Sequence, residues 1–327
     1  MASSANALLT NYVASTMDKY RKGFADGVHD TCPLLYVLKR RGNMRVEDGG
    51  NQFHTSVSLD KSNTTFYDPT SDAVMHRTND VKSGQFKGTV YDWNFLTTKI
   101  IINAKEKFLN TGRSAIFNLG RAKISQAKES LAEVIDDNIF DSDANSASAF
   151  MGLDLLCTDD GTGVYGGLDP GDGGVYAAWT NQHVDGMANY SDMAEKLGEL
   201  WRKLKIVKAI PRVIVMTGDG YGAYEAVGQN QAKFTDQKLL DLGFAELTYK
   251  GIPIYFTDKC VDGNSKDVTY MLDVRSLGFY VHRQRNVEVE PWRKAELYDE
   301  WYMNINWMGG LWCENRRRQG VITWKST

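Results

Sequence analysis

Asp219 sits among Gly218, Gly220 and Gly222 in the stretch VIVMTGDGYGAYE, where a strand pattern gives way to a helical one. Glycines ahead of a helix can cradle a phosphate, because free backbone amides point outward from a helix N-terminus. The spacing here is neither G-x-G-x-x-G nor a P-loop, since no Gly-Lys-Ser/Thr follows. Asp219 would also repel an anion, so nucleotide binding is disfavoured. The Asp-Gly runs at 159–163 and 169–174, and VDGNSKD at 261–267, suggest calcium at first sight. None has the D-x-D-x-D-G order with a closing Glu, and ordinary turns account for them. His29, His54, His76, His183 and His282 are isolated, with no H-x-x-x-H or H-E-x-x-H spacing. Serines are plentiful, but no G-x-S-x-G elbow frames one. The sequence thus offers no residue on which to base catalysis, a cofactor or a metal.

Cys32, Cys157, Cys260 and Cys313 lie far apart, with no C-x-x-C pair. That spacing excludes a metal finger and argues for reduced thiols rather than a secreted disulfide framework. A formal charge of −3 on 327 residues is too near neutral for a basic nucleic-acid reader. The first twenty residues lack the basic start and apolar run of a signal peptide, and no window holds 18 uninterrupted apolar residues. A soluble protein that stays where it was made is the expectation. The basic run Arg316, Arg317, Arg318 reads as a solvated edge, or as ion pairs with a neighbouring subunit.

The element around which the chain is organised is a helix from about Arg113 to Phe140. Ile116, Leu119, Ile124, Ala127, Leu131, Val134, Ile135 and Ile139 recur mostly at steps of three and four, the exception spanning Gly120. Asn110 or Thr111 can cap its start, and Asp141, Ser142 and Asp143 end it. At 1.5 Å per residue this rod is roughly 40 Å long, against a radius of gyration of about 20 Å for a compact chain of this size. A flat or elongated body follows.

Residues 1–45 read as an arm with one short helix (Tyr12, Met17, Tyr20) and an apolar anchor, CPLLYVLKRRG. Over 46–102, NQFHTSVSL alternates as a half-exposed strand and QFKGTVYDWNFLTTKIII returns as a second. Between them, residues 60–85 carry few apolar side chains, which suits the tip of a β-ribbon reaching onto a neighbour. A glycine- and aspartate-rich stretch after the long helix reads as tight turns. An amphipathic helix with Met193, Leu197, Leu200, Trp201 and Leu204 on one face, capped by Ser191 or Asp192, opens an α/β lobe over about 185–290. Within it PRVIVMT, LTYKGIPIYFTD, VTYMLDV and LGFYVHR read as strands, and GYGAYEAVGQNQ as a helix. The tail, 291–327, holds Trp292, Trp301, Trp307, Trp312 and Trp324 and reads as two or three strands with a Gly309–Gly310 turn. Its strands need a partner sheet, and the unpaired candidates flank the long helix.

The order of these parts resembles the major capsid proteins of tailed double-stranded DNA bacteriophages, the family with the Hong Kong 97-type fold. GFAELTYKGIPIYFTDKC, then YMLDVRSLGFYVHR, then MGGLWCENRRRQGVI carry the resemblance, together with the long helix and the glycine-rich GLDLLCTDDGTGVYGGLDPGDGGVYAAWTNQ. It implies an α+β fold with an N-terminal arm (1–45), an extended β-ribbon loop (46–102), a peripheral domain with the spine helix (103–184 and 291–327) and an inserted axial domain (185–290). It also implies a non-enzymatic shell protein without cofactors, forming hexamers and pentamers of an icosahedral phage head around non-specifically held DNA. Such a protein belongs to the virion capsid and assembles in the bacterial host cytoplasm, away from any membrane. Its partners would be copies of itself, a portal, decoration proteins and a separate scaffolding protein, since only about 45 residues precede the ribbon. Candidate inter-subunit residues are Phe53, Lys61, Phe66, Tyr67 and Arg77 on the ribbon and Arg316, Arg317 and Arg318 in the tail. One family variant cross-links through Lys and Asn; Lys61 lies near the ribbon tip, but no acceptor or assisting acid is identifiable. An encapsulin-like compartment is the alternative within the fold, and an α/β nucleotide-binding enzyme the alternative outside it.

Overall fold

The computed structural model of the chain describes residues 33–40, 43–58, 86–109, 113–141, 149–171, 176–187, 189, 192–230, 247–261 and 267–324. In chain order the first elements are α1 (Pro33–Arg40), β1 (Met44–Glu47), β2 (Phe53–Ser58), β3 (Phe86–Tyr91) and β4 (Asn94–Asn103). The helices α2 (Ala104–Leu109), α3 (Arg113–Phe140) and α4 (Leu153–Leu156) follow. Then come β5 (Gln182–Met187), α5 (Met193–Ile206), β6 (Val213–Met216), α6 (Gly218–Asn230), β7 (Thr248–Tyr249), β8 (Ile252–Phe256) and β9 (Val268–Leu272). The last are β10 (Leu277–His282), β11 (Glu288–Val289), β12 (Arg293–Lys294), β13 (Glu300–Cys313), one 3-10 turn at Arg316–Arg318, and β14 (Gly320–Trp324).

Two six-stranded sheets and a two-stranded ribbon hold these strands. In the first sheet β13 is the long central strand. β4 runs antiparallel along one edge of it, and β10, β11 and β12 follow one another along the other. β1 lies parallel outside β10. The second sheet has the order β5-β14-β9-β6-β8-β7. The ribbon pairs β2 with β3, Phe53 opposite Tyr91 and Ser58 opposite Phe86. Its alternation is as expected: Phe53, Thr55 and Val57 are buried, His54 and Ser56 exposed.

The long helix has the expected bounds. From Ala127 onward, Leu131, Ala132, Ile135, Ile139 and Phe140 are buried, while Glu129, Ser130 and Glu133 are exposed. Its C-terminal end reaches the second sheet, where Phe140 lies 6.3 Å from the Tyr270 ring and Lys259 Nζ 2.5 Å from the Asp137 carboxylate. β6 is buried on both faces, as a near-continuous apolar run in a covered sheet should be. Val213 and Val215 belong to the core shared with α3, and Ile214 and Met216 to the core under α5. Along α5, Met193, Leu197, Leu200 and Leu204 are buried and Trp201 is half-buried. Asp192 precedes this helix without a side-chain cap bond. The expected caps of α3, Asn110 and Thr111, lie outside the described residues, as does the short helix of the arm.

Two expectations are corrected. Gly309 and Gly310 make no turn: β13 runs straight through them, paired with β10 on one edge, and with β4 on the other as far as Gly309. Both glycines make room for close packing. A Cβ on Gly310 would come within 2.6 Å of the Tyr280 hydroxyl, and one on Gly309 would collide with the Tyr280 carbonyl oxygen. Two strands also join a different sheet from the one expected. β10, expected in the axial lobe, pairs with β13 in the first sheet, and β14, expected in the peripheral lobe, lies between β5 and β9 in the second. The chain therefore crosses between the sheets twice here, at 273–276 and at 314–319.

Replacing Gly310 by Ala should lower subunit stability by about 1–3 kcal/mol through overpacking against Tyr280. Gly120, inside α3 with open space around it, should give the opposite sign on replacement by Ala, about 0.5–1 kcal/mol more stable. Urea unfolding of the unassembled chain measures both.

Candidate inter-subunit surfaces

The base of the ribbon is fixed to the first sheet by aromatic residues. Phe53 stacks on Tyr280 with ring centroids 4.7 Å apart and planes 5° apart. The Tyr91 hydroxyl donates to the Cys313 carbonyl oxygen at 2.9 Å and accepts from the Cys313 amide at 3.1 Å. Tyr280 donates to the Asp92 carbonyl at 2.6 Å, and Trp93 Nε1 to that of Gly50 at 3.0 Å. The glycine-rich segment closes the far side, where the Val90 amide donates to the Gly166 carbonyl at 3.0 Å. Gly166 has φ +61°, and a Cβ there would approach the Tyr91 hydroxyl to 2.9 Å. Glycine is therefore required at this position for both reasons.

Both crossings between the sheets meet in one buried polar joint. Gln319 is fully buried; its Oε1 accepts from the Asp273 amide at 3.0 Å and its Nε2 donates to the Asp273 carbonyl and to Ser276 Oγ. Asp273, also fully buried, takes the Arg275 guanidinium at 2.8 Å and the Ile210 amide at 3.1 Å. Burial works to raise this carboxyl, but those partners outweigh it and hold the group below its ordinary value.

Arg316 is the third member of the joint and is likewise fully buried. Its Nε donates to the Leu156 carbonyl at 2.8 Å, Nη1 to Gly163 at 2.7 Å, and Nη2 to Leu155 at 3.1 Å and Thr162 at 2.7 Å. The carbonyls of Leu155 and Leu156 form the C-terminal end of α4, where a cation is favoured. Burial pulls the guanidinium below its ordinary pKa. Cys157 and Cys313 are buried nearby as free thiols, and burial pushes Cys313 up to about 12, so it is unreactive.

This geometry revises the expected interface residues. Phe53 is buried at 6% exposure against its own chain, as an anchor of the ribbon. Arg316 is neither a solvated edge nor a partner for a neighbouring carboxylate, because its donors are taken by the loop at 155–163. Arg317 is exposed and Arg318 half-buried, so the basic run splits by position in its 3-10 turn. Lys61, Phe66, Tyr67 and Arg77 lie outside the described residues. Sequence reasoning missed Gln319 and Asp273, whose residue types look ordinary in any loop.

Large apolar side chains remain uncovered on both sheets. Phe95 on β4 (65% exposed) and Leu297 (89%) and Tyr298 (69%) between β12 and β13 stand out beside the first, Ile206 at the end of α5 (79%) and Phe256 on β8 (61%) beside the second. Among the described strands only β13 pairs with β4, so the outer edge of β4 is open, apart from the Ile101 carbonyl, which takes Lys123 Nζ at 2.8 Å. No group of three or more His, Cys, Asp or Glu side chains placed to hold a metal occurs among the described residues. None of the described helices is long and apolar enough to cross a membrane.

Neither protein-family models nor curated proteins match the sequence. Solved structures do. The chain superposes on a chain of the cyanophage A-1(L) capsid with TM-score 0.64 at 16% identity, covering 89% of this chain and 93% of that one. For the capsid of Myoviridae phage XM1 the values are 0.56 and 12%, covering 87% and 90%. This chain has the Hong Kong 97-type capsid fold. The SrpI encapsulin complex of Synechococcus elongatus PCC 7942 matches it as well, with TM-score 0.54 at 12% identity over 90% of this chain and 89% of that one.

Replacing Arg316 by Met strands the loop carbonyls and should destabilise the subunit by about 3–5 kcal/mol. The same change at exposed Arg317 should stay within about 0.5 kcal/mol, and thermal unfolding separates the two. Acid offers a second check. The Asp273 carboxyl is depressed in the folded chain, so its stabilisation is complete above the unfolded value near 4 and is lost as pH falls from there through the folded value. The urea midpoint should therefore hold from pH 7 to about 5 and fall below about 4, with a shallower fall in Asp273→Asn.

Proposed function

We propose that this chain is a capsid shell protein, whose copies form hexamers and pentamers that close into an icosahedral phage head enclosing double-stranded DNA. The observation that carries the reading is the near full-length match to the cyanophage capsid subunit. The uncovered Phe95, Leu297, Tyr298, Ile206 and Phe256 support it, since obligate interfaces of about 2,000–5,000 Å² would cover such residues. The ribbon supplies a lever: its base is anchored by Phe53 and Tyr91, and its tip carries Lys61, Phe66, Tyr67 and Arg77 to a neighbour. Arg317 is the member of the basic run placed to meet another subunit. The role is structural, with no catalysis and no cofactor. Assembly takes place in the host cytoplasm with a separate scaffolding protein, portal and decoration proteins as partners, and the finished product is the virion capsid. The encapsulin match supports a second reading, a protein compartment with enzyme cargo.

Electron microscopy and sedimentation of the expressed chain, with and without candidate scaffold, test the proposal. Closed particles of megadalton size are expected; a chain that stays monomeric or dimeric under every condition overturns it. Removing residues 60–85 should leave a folded subunit that no longer closes into shells, and normal shells from that variant would remove the ribbon from the mechanism.

A further inference from the structure

The second sheet carries a basic surface that the shell fold by itself does not explain. Along α5, Lys196 and Lys203 are held by Glu199 at 3.7 and 3.3 Å and by the carbonyls of Asp185 and His183. Arg202, Lys205 and Lys208 on the other flank of the helix, and Lys250 in the β7–β8 turn, are all exposed. Among the described residues none of these four has a carboxylate within ion-pair distance. Two of them, Lys205 and Lys250, lie against aromatic rings. Lys250 Nζ lies 3.7 Å from the Trp201 ring centre and 5.2 Å from that of Tyr249, and Lys205 Nζ lies 5.3 Å from Trp201. From Arg202 to Lys205 the helix advances about 4.5 Å, and Lys208 lies just past its C-terminal end.

Two of these lysines stand in backbone positions that lysine disfavours. Lys208 follows the helix with φ +58°, and Lys250 begins a two-residue hairpin turn with φ +50°. Glycine or asparagine is the usual residue at both kinds of position. Only three non-glycine residues have positive φ among those described, and two are the lysines bordering this patch. Local backbone preference has given way to positive charge there, a conflict that marks functional surfaces.

We infer that this surface, Arg202, Lys205, Lys208 and Lys250 around Trp201, binds the phosphodiester backbone of duplex DNA. The chemistry is that of exposed cations without carboxylate partners, which release counterions and read no sequence. Duplex is favoured over single strands because Lys250 lies over the Trp201 ring, where a stacked base would otherwise sit. The inference deepens the shell reading and rests on it for the source of the duplex: it turns the face of α5 toward the lumen. It also reconciles DNA contact with a chain of net charge −3, since the positive charge is local.

The test uses the full-length unassembled chain and a fluorescent 20-base-pair duplex, titrated across salt concentrations. Arg202→Gln, Lys205→Gln and Lys250→Gln combined should weaken binding at least about tenfold at low salt and shrink the salt slope by about 2–3. Lys99→Gln, Arg283→Gln and Lys294→Gln combined should leave both unchanged. Lys208→Gly and Lys250→Gly relieve the backbone and should raise the melting temperature while lowering duplex affinity, a combination that a merely structural role would not produce. The inference is overturned if the two triple variants lose affinity equally, if the glycine variants bind as the parent does, or if single strands or polyglutamate bind and the duplex does not. Shell formation is scored separately by microscopy. Patch-dependent duplex binding by a chain that never forms shells would leave the patch standing and sink the container.

Discussion

A buried polar joint holds the two sheets of this molecule to one another. The chain passes from the second sheet to the first after β9 and returns after β13, and both passages are locked where Gln319 binds the backbone of Asp273. Irregular backbone inside a core is tolerable only when its donors and acceptors find partners. Asp273, Ser276, Arg316 and Gln319, all almost fully buried, supply them. Arg316 extends the same joint to the glycine-rich loop, which in turn meets the ribbon through Gly166 and Val90. The glycine-rich loop, the base of the ribbon and both sheets are thus tied together through one joint.

That arrangement divides the subunit into what is satisfied within the chain and what is left for a neighbour. The ribbon's base is tied down within the chain, where Phe53, Tyr91 and Trp93 meet Tyr280, Cys313 and Gly50. The uncovered side chains lie away from the joint, at Phe95 and Leu297–Tyr298 on one sheet and at Ile206 and Phe256 on the other. A rigid frame with apolar outposts suits repeated, geometrically defined association, in which many modest contacts add up to avidity.

How much of this was legible in advance follows from the range of the interactions involved. The long helix, the alternation at Phe53–Val57, the buried VIVM strand and the stripe on α5 could all be read, because each is a local periodicity imposed by one solvent-averse face. Arg316 could not be. Three consecutive arginines look alike in sequence, and which one turns inward depends on carbonyls more than 150 residues away. Gly309 and Gly310 misled for a similar reason. A glycine pair commonly marks a turn, yet here it admits the ring of Tyr280 from a neighbouring strand. The strand swap between the sheets was hidden as well, since β10 and β14 have the right pattern for either sheet and only register and space decide between them.

The residue order alone determined the elements, the α+β class, the absence of a recognisable catalytic or metal motif, and the resemblance to a shell protein, because these are properties of local pattern. Tertiary structure decided which sheet each late strand joins, which arginine is buried, and which lysines remain unpaired beside Trp201. Those outcomes depend on what meets across the core, and burial of a polar or charged group is set by its distant partners rather than by its neighbours in the chain.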